Sequence, residues 1–278
     1  MPLTGLLVQL THYYLVDYRM KKYLFILLFF LGCETFDVAT DNPLDPSNPE
    51  YEKPTISILS PSDQQTINTD KVDVALQGNE LVTEYRYKIV TSDAYKAAGW
   101  SDWVSSNNLS LEFLNEYTYT INAQSRYLNE ETSEEASVTF TVDALQSSSL
   151  LLYPRQVQPS TNSSFKVELY AHSLSNVSAL EYVIAFDPSK ITFIENSSNT
   201  YGDVNVVNYD GISKVYYTIG VYNNQTGFDK DQLIAEISFI TQSITSSATI
   251  NILSASAKSF DGQTIEIVGT NQTRVDVK

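Results

Sequence analysis

The chain has 278 residues, which is enough for one large domain or, as we expect, two smaller modules. Its 19 Tyr and 12 Phe residues accompany many Val, Ile, Thr and Ser residues, so the composition favours strands and predicts an all-β protein. The formal net charge of −16 argues against nucleic acid as a partner, and the single cysteine excludes a disulfide framework or a cysteine-based metal site.

The first element is an N-terminal targeting signal. From Met20 the chain reads MKKYLFILLFFLGC, in which two lysines precede the apolar run Tyr23–Leu31. This run is shorter than the roughly 20 residues of a transmembrane helix, so it is typical of a secretory signal. The sequence Phe30-Leu31-Gly32-Cys33 resembles the lipobox of bacterial lipoproteins, in which cleavage precedes a cysteine that becomes lipid-modified. The resemblance implies a lipid on Cys33.

The residues before the cysteine are therefore expected to be removed. We predict that 1–32 comprise a start assigned too early and the signal peptide, with Met20 as the true start. A lipid on Cys33 would anchor the chain in the membrane of a bacterial cell envelope, and we expect the outer membrane or the cell surface. The alternative is an ordinary signal peptide or an uncleaved anchor with an incidental cysteine.

The segment 33–54 follows, and it is rich in proline and acidic residues. It has too few large apolar residues to offset the entropy of ordering, so we predict a disordered tether between the membrane and the first module. Its NPLDP core contains Asx-Pro turn signals. A calcium-binding loop is the alternative interpretation of this core.

Residues 55–144 form the first predicted β-module. Short runs with alternating apolar residues are separated by turn residues, which predicts an antiparallel sandwich of six or seven strands. The runs are Thr55–Leu59, Val72–Leu76, Glu84–Val90, Leu109–Phe113, Tyr117–Ala123 and Ser137–Val142.

The segments EYRYKIV, GWSDW and YTYTINA of this module resemble fibronectin type III or immunoglobulin-like modules of bacterial surface proteins. The GWSDW segment contains Trp100 and Trp103. We interpret one tryptophan as a core residue and the other as a cap on a strand edge. A sugar-stacking platform is the alternative.

After a short linker at Leu145–Ser149, residues 148–278 form the second predicted β-module. Alternation predicts eight or nine strands in a closed or face-packed architecture. The alternating sets are Phe165/Val167/Leu169, Leu180/Tyr182/Ile184/Phe186, Val215/Tyr217/Ile219/Val221, Leu233/Ala235/Ile237/Phe239, Ile250/Ile252, Ile265/Ile267 and Val275/Val277.

The segments SSFKVELYAHSLSNVSALEYVIAFDPSKITFIE, DQLIAEISFIT and SFDGQTIEIV of this module resemble cohesin domains. Phe186-Asp187-Pro188 is the most specific element, because Pro188 cannot continue a strand ladder and Asp187 can bond the turn backbone. Pro159-Ser160 and Asp231-Gln232 depart from the glycine-containing family pattern. The resemblance implies a nine-stranded jelly-roll sandwich that binds a calcium-loaded dockerin through one exposed sheet face.

The cohesin resemblance also implies which residues form that face. The strand Ala179–Phe186 would bury its apolar alternate residues and present Ala179, Glu181, Val183 and Ala185 to a partner. Glu181 is the candidate polar contact, and Tyr216 and Tyr222 are candidate exposed anchors. The alternative is that both are edge-strand tyrosines with hydrated hydroxyls.

Catalytic chemistry finds little support in the sequence. Once the signal is removed, only His172 remains as a histidine, and neither a cysteine nucleophile nor a G-x-S-x-G motif is present. We therefore predict a non-catalytic, lipid-anchored surface protein without a metal or cofactor. Its partner would be a protein, and the resemblance implies a dockerin-bearing polysaccharide-degrading enzyme. The alternatives are polysaccharide binding by the C-terminal sandwich and a structural envelope lipoprotein.

Overall fold

The computed structural model describes residues 42–145, 147–195, 202–222, 228–243 and 246–278. Met20, Cys33 and the rest of the predicted signal lie outside these residues, so the prediction of a lipidated N-terminus remains a prediction. The chain divides into two compact units, Met1–Glu52 and Lys53–Lys278. Within the described residues no helix is long and apolar enough to cross a membrane.

The described part of the first unit is a run of three successive turns. Backbone N–H groups of Asp45, Asn48 and Tyr51 donate to the carbonyls of Asn42, Asp45 and Asn48 at 3.1, 2.8 and 3.0 Å. Each turn begins with Asn or Asp and continues with proline, which presets the backbone for the second position of a turn. The turn signals of this segment are thus confirmed, and its role as a tether stays a prediction.

The second unit consists of strands joined by turns and loops, and this confirms the all-β prediction. Its strands are β1 (Ile56–Ser60), β2 (Gln65–Ile67), β3 (Val72–Gly78), β4 (Glu84–Thr91), β5 (Asn108–Leu111), β6 (Thr118–Arg126), β7 (Ala136–Val142), β8 (Ser149–Tyr153), β9 (Gln156–Val157), β10 (Ser164–Phe186), β11 (Ile191–Phe193), β12 (Val204–Tyr209), β13 (Lys214–Gly220), β14 (Phe228–Thr241), β15 (Ser246–Ser259), β16 (Thr264–Ile265), β17 (Gly269–Thr270) and β18 (Gln272–Val277).

Strands β1–β7 form the N-terminal module as two sheets, in the orders β1-β3-β5 and β2-β7-β6-β4. Alternation decides which side chains enter its core, since Val72, Val74 and Leu76 of β3 are buried while Asp73 is exposed. All six predicted runs are strands. The sequence analysis missed β2, which is three residues long and pairs with β7 in the parallel sense.

Strands β8–β18 form the C-terminal module around a second, separate hydrophobic core. Its longest element is the 23-residue strand β10, where the sequence analysis predicted two strands. The register shifts between Ala171 and Val177, and Ser173 and Asn176 adopt positive φ of 52° and 57°. The strand bends there, and asparagine tolerates this backbone region better than most residues. The N-terminal half of β10 therefore pairs with β8 and β14, and the C-terminal half pairs mainly with β13 and β15.

The two modules contact each other through a polar interface. The carboxylate of Asp93 is fully buried and accepts hydrogen bonds from Asn115 Nδ2 at 2.7 Å and from the Tyr153 hydroxyl at 3.3 Å. The amide N–H of Arg155 donates to Asn115 Oδ1 at 2.8 Å. Asp93 and Asn115 belong to the N-terminal module, whereas Tyr153 and Arg155 belong to the C-terminal one. The segment at Leu145–Ser149 therefore joins two modules that are already in direct contact.

Candidate functional site

The candidate site is the outward face of the sheet formed by β12, β13, β10 and β15. Val183 of β10 lies opposite Tyr216 of β13 on one side and Ser254 of β15 on the other. Glu181 lies opposite Thr218 and Ser256 in the same two strands. Because successive strand residues point to opposite faces, these side chains share one surface.

The opposite face of the same strands forms the core, as the sequence predicted. The alternate residues Leu180, Tyr182, Ile184 and Phe186 are all buried. On the outward face Glu181 is exposed, Ala179, Val183 and Ala185 are half-buried, and Tyr216 is 42% exposed. The structure therefore brings Ala179, Glu181, Val183 and Tyr216 together on one face.

Tyr222 stands apart from this group. It follows the end of β13 and is 65% exposed, and its backbone N–H donates to Asp203 Oδ2 at 2.9 Å. It lies six positions after Tyr216, which corresponds to roughly 20 Å along an extended chain. The two candidate anchors therefore do not form a single aromatic surface.

The outward face contains a depression of about 300 Å³. Its lining includes the outward side chains of Glu181, Val183, Tyr216, Thr218, Ser254 and Ser256, together with Tyr182, Tyr217 and Ala255. The outward side chains combine one phenol, one aliphatic group, three aliphatic hydroxyls and one carboxylate, and such a mixture of apolar and hydrogen-bonding groups is typical of protein interfaces.

Strand β12 extends this face, and the sequence analysis did not predict it. Val206 lies opposite Thr218 and Val204 lies opposite Gly220. Both valines are exposed, by 53% and 41%, so they add apolar area to the outward face, while Asn208 is the β12 residue opposite Tyr216. The run VNVVNY is rich in valine, a residue favoured in strands, but its alternation breaks at Val206 and Val207, so the period-two signal that predicted strands elsewhere is absent.

The interpretation of one tryptophan as a core residue is wrong, because Trp100 and Trp103 are both half-buried and neither belongs to the core of the N-terminal module. The Arg86 guanidinium carbon lies 4.6 Å from the centroid of each ring. Lys88 Nζ lies 4.7 Å from the Trp100 ring, and the Arg126 guanidinium carbon lies 4.6 Å from the Trp103 ring. Arg86 and Lys88 are two positions apart in β4 and therefore point to the same outer face. The tryptophan rings pack against these cationic side chains.

These cations also bear on the sugar-platform alternative. Arg86 contacts both rings, and its guanidinium is held by Gln124 Oε1, which accepts from Nε at 3.1 Å. Lys88 and Arg126 are fixed in turn by Glu135 at 2.9 Å and Glu84 at 2.6 Å. Ring faces that already contact fixed cations are closed to a stacking sugar.

The Phe186-Asp187-Pro188 element is a turn that ends β10. Asp187 Oδ1 accepts hydrogen bonds from the Ser189 hydroxyl at 2.6 Å and the Ser189 amide at 3.0 Å. These bonds hold the pKa of the Asp187 carboxyl below its usual value. The element therefore has a structural role that agrees with the sequence analysis.

His172 lies inside β10, opposite Ser149. Nowhere in the described part of the chain do three or more His, Cys, Asp or Glu side chains group as metal ligands would. The predictions of a non-catalytic protein without a metal remain predictions.

Neither a protein-family model nor a curated protein matches the chain. Solved structures similar to it include the sixth cohesin of scaffoldin B from Acetivibrio cellulolyticus, in complex with a mutant dockerin, at 16% identity and a TM-score of 0.42, over 48% of this chain and 100% of that one. A non-cellulosomal cohesin from the archaeon Archaeoglobus fulgidus has 10% identity and a TM-score of 0.40, over 48% and 92%. A cohesin module of a family 33 glycoside hydrolase from Clostridium perfringens has 14% identity and a TM-score of 0.40, over 48% and 98%.

Proposed function

We propose that the chain is a non-catalytic, lipid-anchored surface protein whose C-terminal module binds a protein partner through the outward face of β12, β13, β10 and β15. The observation that carries this proposal is the set of exposed apolar side chains on that face. Tyr216, Val204 and Val206 are each more than 40% exposed. Exposed apolar side chains that share one face of a module are typical of an interaction site.

The arrangement of the face indicates how a partner would bind. Tyr216 and the half-buried Val183 lie side by side and provide a central apolar contact. Glu181 is one alternation away from Val183 on the same strand and adds one negative charge at the edge of this contact. Tyrosine is enriched among residues that dominate binding energy, and a rim carboxylate favours a partner with a basic or hydrogen-bond-donating group.

The sequence resemblance suggests a dockerin as the partner class. The test is calorimetric titration of the full chain with calcium-loaded dockerins. We expect the Tyr216→Ala substitution to weaken binding by roughly 30-fold or more, as truncation of a central interface tyrosine does. Glu181→Lys reverses the charge and should weaken binding through the association rate.

A matched control is Leu128→Ala, which removes a side chain that is 79% exposed in the N-terminal module. Affinity should be unchanged in this variant. Equal affinity for the parent chain and Tyr216→Ala would contradict the proposed face. No titration heat with any dockerin would contradict the dockerin class.

Polysaccharide binding by the C-terminal sandwich predicts a planar row of exposed aromatic rings. Tyr216 stands in the sheet, but Tyr222 lies roughly 20 Å along the chain from it, so the described face favours protein binding. Affinity gels containing polysaccharides distinguish the two functions, because retardation that Tyr216→Ala and Tyr222→Ala both abolish would support a carbohydrate site. A structural envelope lipoprotein would give no signal in either assay.

The lipid anchor is a separate part of the proposal and rests on the lone cysteine at the end of the signal-like run. We expect mass spectrometry of the membrane fraction to find Cys33 as an acylated N-terminal residue. Cys33→Ser should release the chain from the membrane fraction. An unmodified Cys33 inside an intact N-terminal peptide would contradict the anchor without affecting the docking face.

A further inference from the structure

A second concave surface lies between the two modules, where it is lined by the N-terminal half of β10, whereas the docking face uses the C-terminal half of that strand. It is a cleft of about 420 Å³ whose lining includes Tyr117, Tyr153, Tyr170, Glu116, Asp143 and His172. Tyr117 belongs to the N-terminal module, whereas Tyr153 and Tyr170 belong to β8 and β10 of the C-terminal one. The cleft exists only because the two modules pack together. Clefts at such junctions are common ligand sites.

Three tyrosine rings define the shape of this cleft. The Tyr153 ring contacts the Tyr117 ring at a centroid distance of 6.0 Å and the Tyr170 ring at 6.3 Å. The planes of Tyr153 and Tyr170 stand at 89°, and those of Tyr117 and Tyr153 at 42°. Tyr153 therefore contacts two tilted rings that line the cleft with it, and it also packs against Tyr95, outside the cleft lining, at 5.5 Å and 83°. All three rings are half-buried and remain accessible from the cleft.

Two of these tyrosines donate their hydroxyl protons to carboxylates. Tyr170 donates to Glu168 Oε2 at 2.8 Å, and Tyr153 donates to Asp93 Oδ1 at 3.3 Å. A phenol that donates to an anion gains electron density in its ring, and this strengthens the attraction of the ring face for a cation. These bonds also occupy the two hydroxyls, so neither is free to donate to a ligand.

Carboxylates outnumber cations around the cleft. Glu116 and Asp143 line it, and Glu168 and Asp93 accept hydrogen bonds from its tyrosines. Arg155 pairs with Glu116 and Lys96 interacts electrostatically with Asp93, while neither a lysine nor an arginine is among the described residues that line the cleft. An anionic ligand is therefore disfavoured. A ligand that needs many hydrogen bonds would also find few unoccupied groups.

We propose that this tyrosine cleft binds an organic cation with an alkylated ammonium group. Such a cation gains attraction from the tyrosine rings that line the cleft and from the nearby carboxylates, and it needs no hydrogen bond. The same chemistry would come from a free quaternary amine or from a methylated amine on a larger molecule. This site is independent of the docking face, and its loss would leave the docking proposal intact.

The test compares choline with its uncharged isostere 3,3-dimethylbutan-1-ol, each titrated into the full chain at pH 8 and followed by calorimetry. We expect choline binding to saturate by about 10 mM. The isostere should bind at least roughly 10-fold more weakly, because the two ligands differ in charge and hardly in shape. Tyr170→Leu should weaken choline binding by about 5-fold or more. Tyr170→Phe keeps a ring but loses the hydrogen bond to Glu168, so its affinity for choline should lie between those of the parent chain and Tyr170→Leu.

Phe260→Leu is the matched control, since Phe260 is an exposed aromatic residue in the turn after β15, outside the cleft lining. Urea unfolding of each variant checks that the modules stay folded. Trimethyllysine in a short peptide, titrated in parallel, separates a free-amine site from one that prefers a protein-borne cation. Equal affinity for choline and the isostere, no binding of any cation, or unchanged binding by folded Tyr170→Leu would each overturn the proposal.

Discussion

Arg155 of the C-terminal module forms an ion pair with Glu116 of the N-terminal module, and the two side chains are only 6% and 13% exposed. Glu116 also accepts a hydrogen bond from the Ala144 amide at 2.7 Å through its second oxygen. Asp70 lies 3.7 Å from the same guanidinium. The contact between the modules is therefore desolvated and charged, and this makes it sensitive to the loss of either partner.

We expect Glu116→Ala to lower the free energy of unfolding by about 3 kcal/mol. The substitution leaves the Arg155 charge buried with only the more distant Asp70 to offset it, and breaking a buried pair typically costs about 3–5 kcal/mol. Urea unfolding measures the change. Glu236→Ala is the control, because it breaks the exposed pair with Lys166 and should cost less than about 1 kcal/mol.

The same variant tests whether the modules unfold together. Both tryptophans of the chain lie in the N-terminal module, so tryptophan fluorescence follows that module while far-UV circular dichroism follows both. In the parent chain the two signals should give coincident transitions. In Glu116→Ala the transitions should separate. Separate transitions in the parent chain would show that the interface does not couple the modules.

The contacts between cationic side chains and the two tryptophan rings of the N-terminal module give a second prediction. Arg86 contacts both tryptophan rings at 4.6 Å, and we expect Arg86→Met to lower the stability of this module by about 1–2 kcal/mol through loss of two cation–π contacts. Arg86→Lys should recover only part of the loss, because an ammonium lacks the planar group that fits between two rings. Lys71→Met, at an exposed salt bridge, is the control. If Arg86→Lys recovered all of the stability lost in Arg86→Met, the positive charge alone would account for the stabilisation.

The stacked pair Tyr182 and Tyr217 gives a third prediction. The rings lie 4.7 Å apart at 9°, and neither buried hydroxyl has a hydrogen-bond partner among the described residues. Replacing an unpaired buried hydroxyl with hydrogen removes a desolvation cost, so Tyr182→Phe should raise the free energy of unfolding by about 1 kcal/mol. Tyr119→Phe is the contrasting variant, since it deletes a 2.9 Å bond to Asp93 and should destabilise the chain.

The strands and both cores could be predicted from the sequence because alternation with period two is a local signal. The buried sets of β3, β10 and β13 followed directly from it. The merger of two predicted strands into β10 could not be foreseen, since it depends on which neighbours pair on either side of the bend. Strand β2 was missed because three residues are too few to show a period-two pattern.

The sequence analysis also placed Ala179, Glu181, Val183 and Tyr216 on one outward face, because phase along a strand fixes which side chains share a surface. It grouped Tyr222 with them, which the structure does not, and it missed Val204 and Val206 of β12. It missed the cleft and the polar interface for a different reason. Asp93, Glu116 and Tyr153 are separated by up to 60 positions, and only the packing of one module on the other brings them together. In sequence each looks like an ordinary loop or strand residue, and burial alone distinguishes Asp93 from the solvated carboxylates.

Alkaline pH provides the last prediction. Burial raises the pKa of Tyr182 and of Tyr217 above the ordinary value of 10.0, and burial together with the Asp93 carboxylate raises the pKa of Tyr119. Below pH 10 these hydroxyls are neutral in both folded and unfolded chains, so they add no pH dependence. Above pH 10 the unfolded chain loses these protons while the folded chain keeps them, and stability falls as pH rises.

The slope for each such tyrosine is about 1.4 kcal/mol per pH unit between its unfolded and folded pKa values. Urea unfolding from about pH 9 to about pH 11.5 should therefore show a steep loss of stability in the parent chain. Tyr182→Phe removes one of the ionising groups, so its stability advantage should widen with each step in pH above 10. A constant difference between the two chains across that range would mean that Tyr182 ionises as readily in the folded state as in the unfolded one.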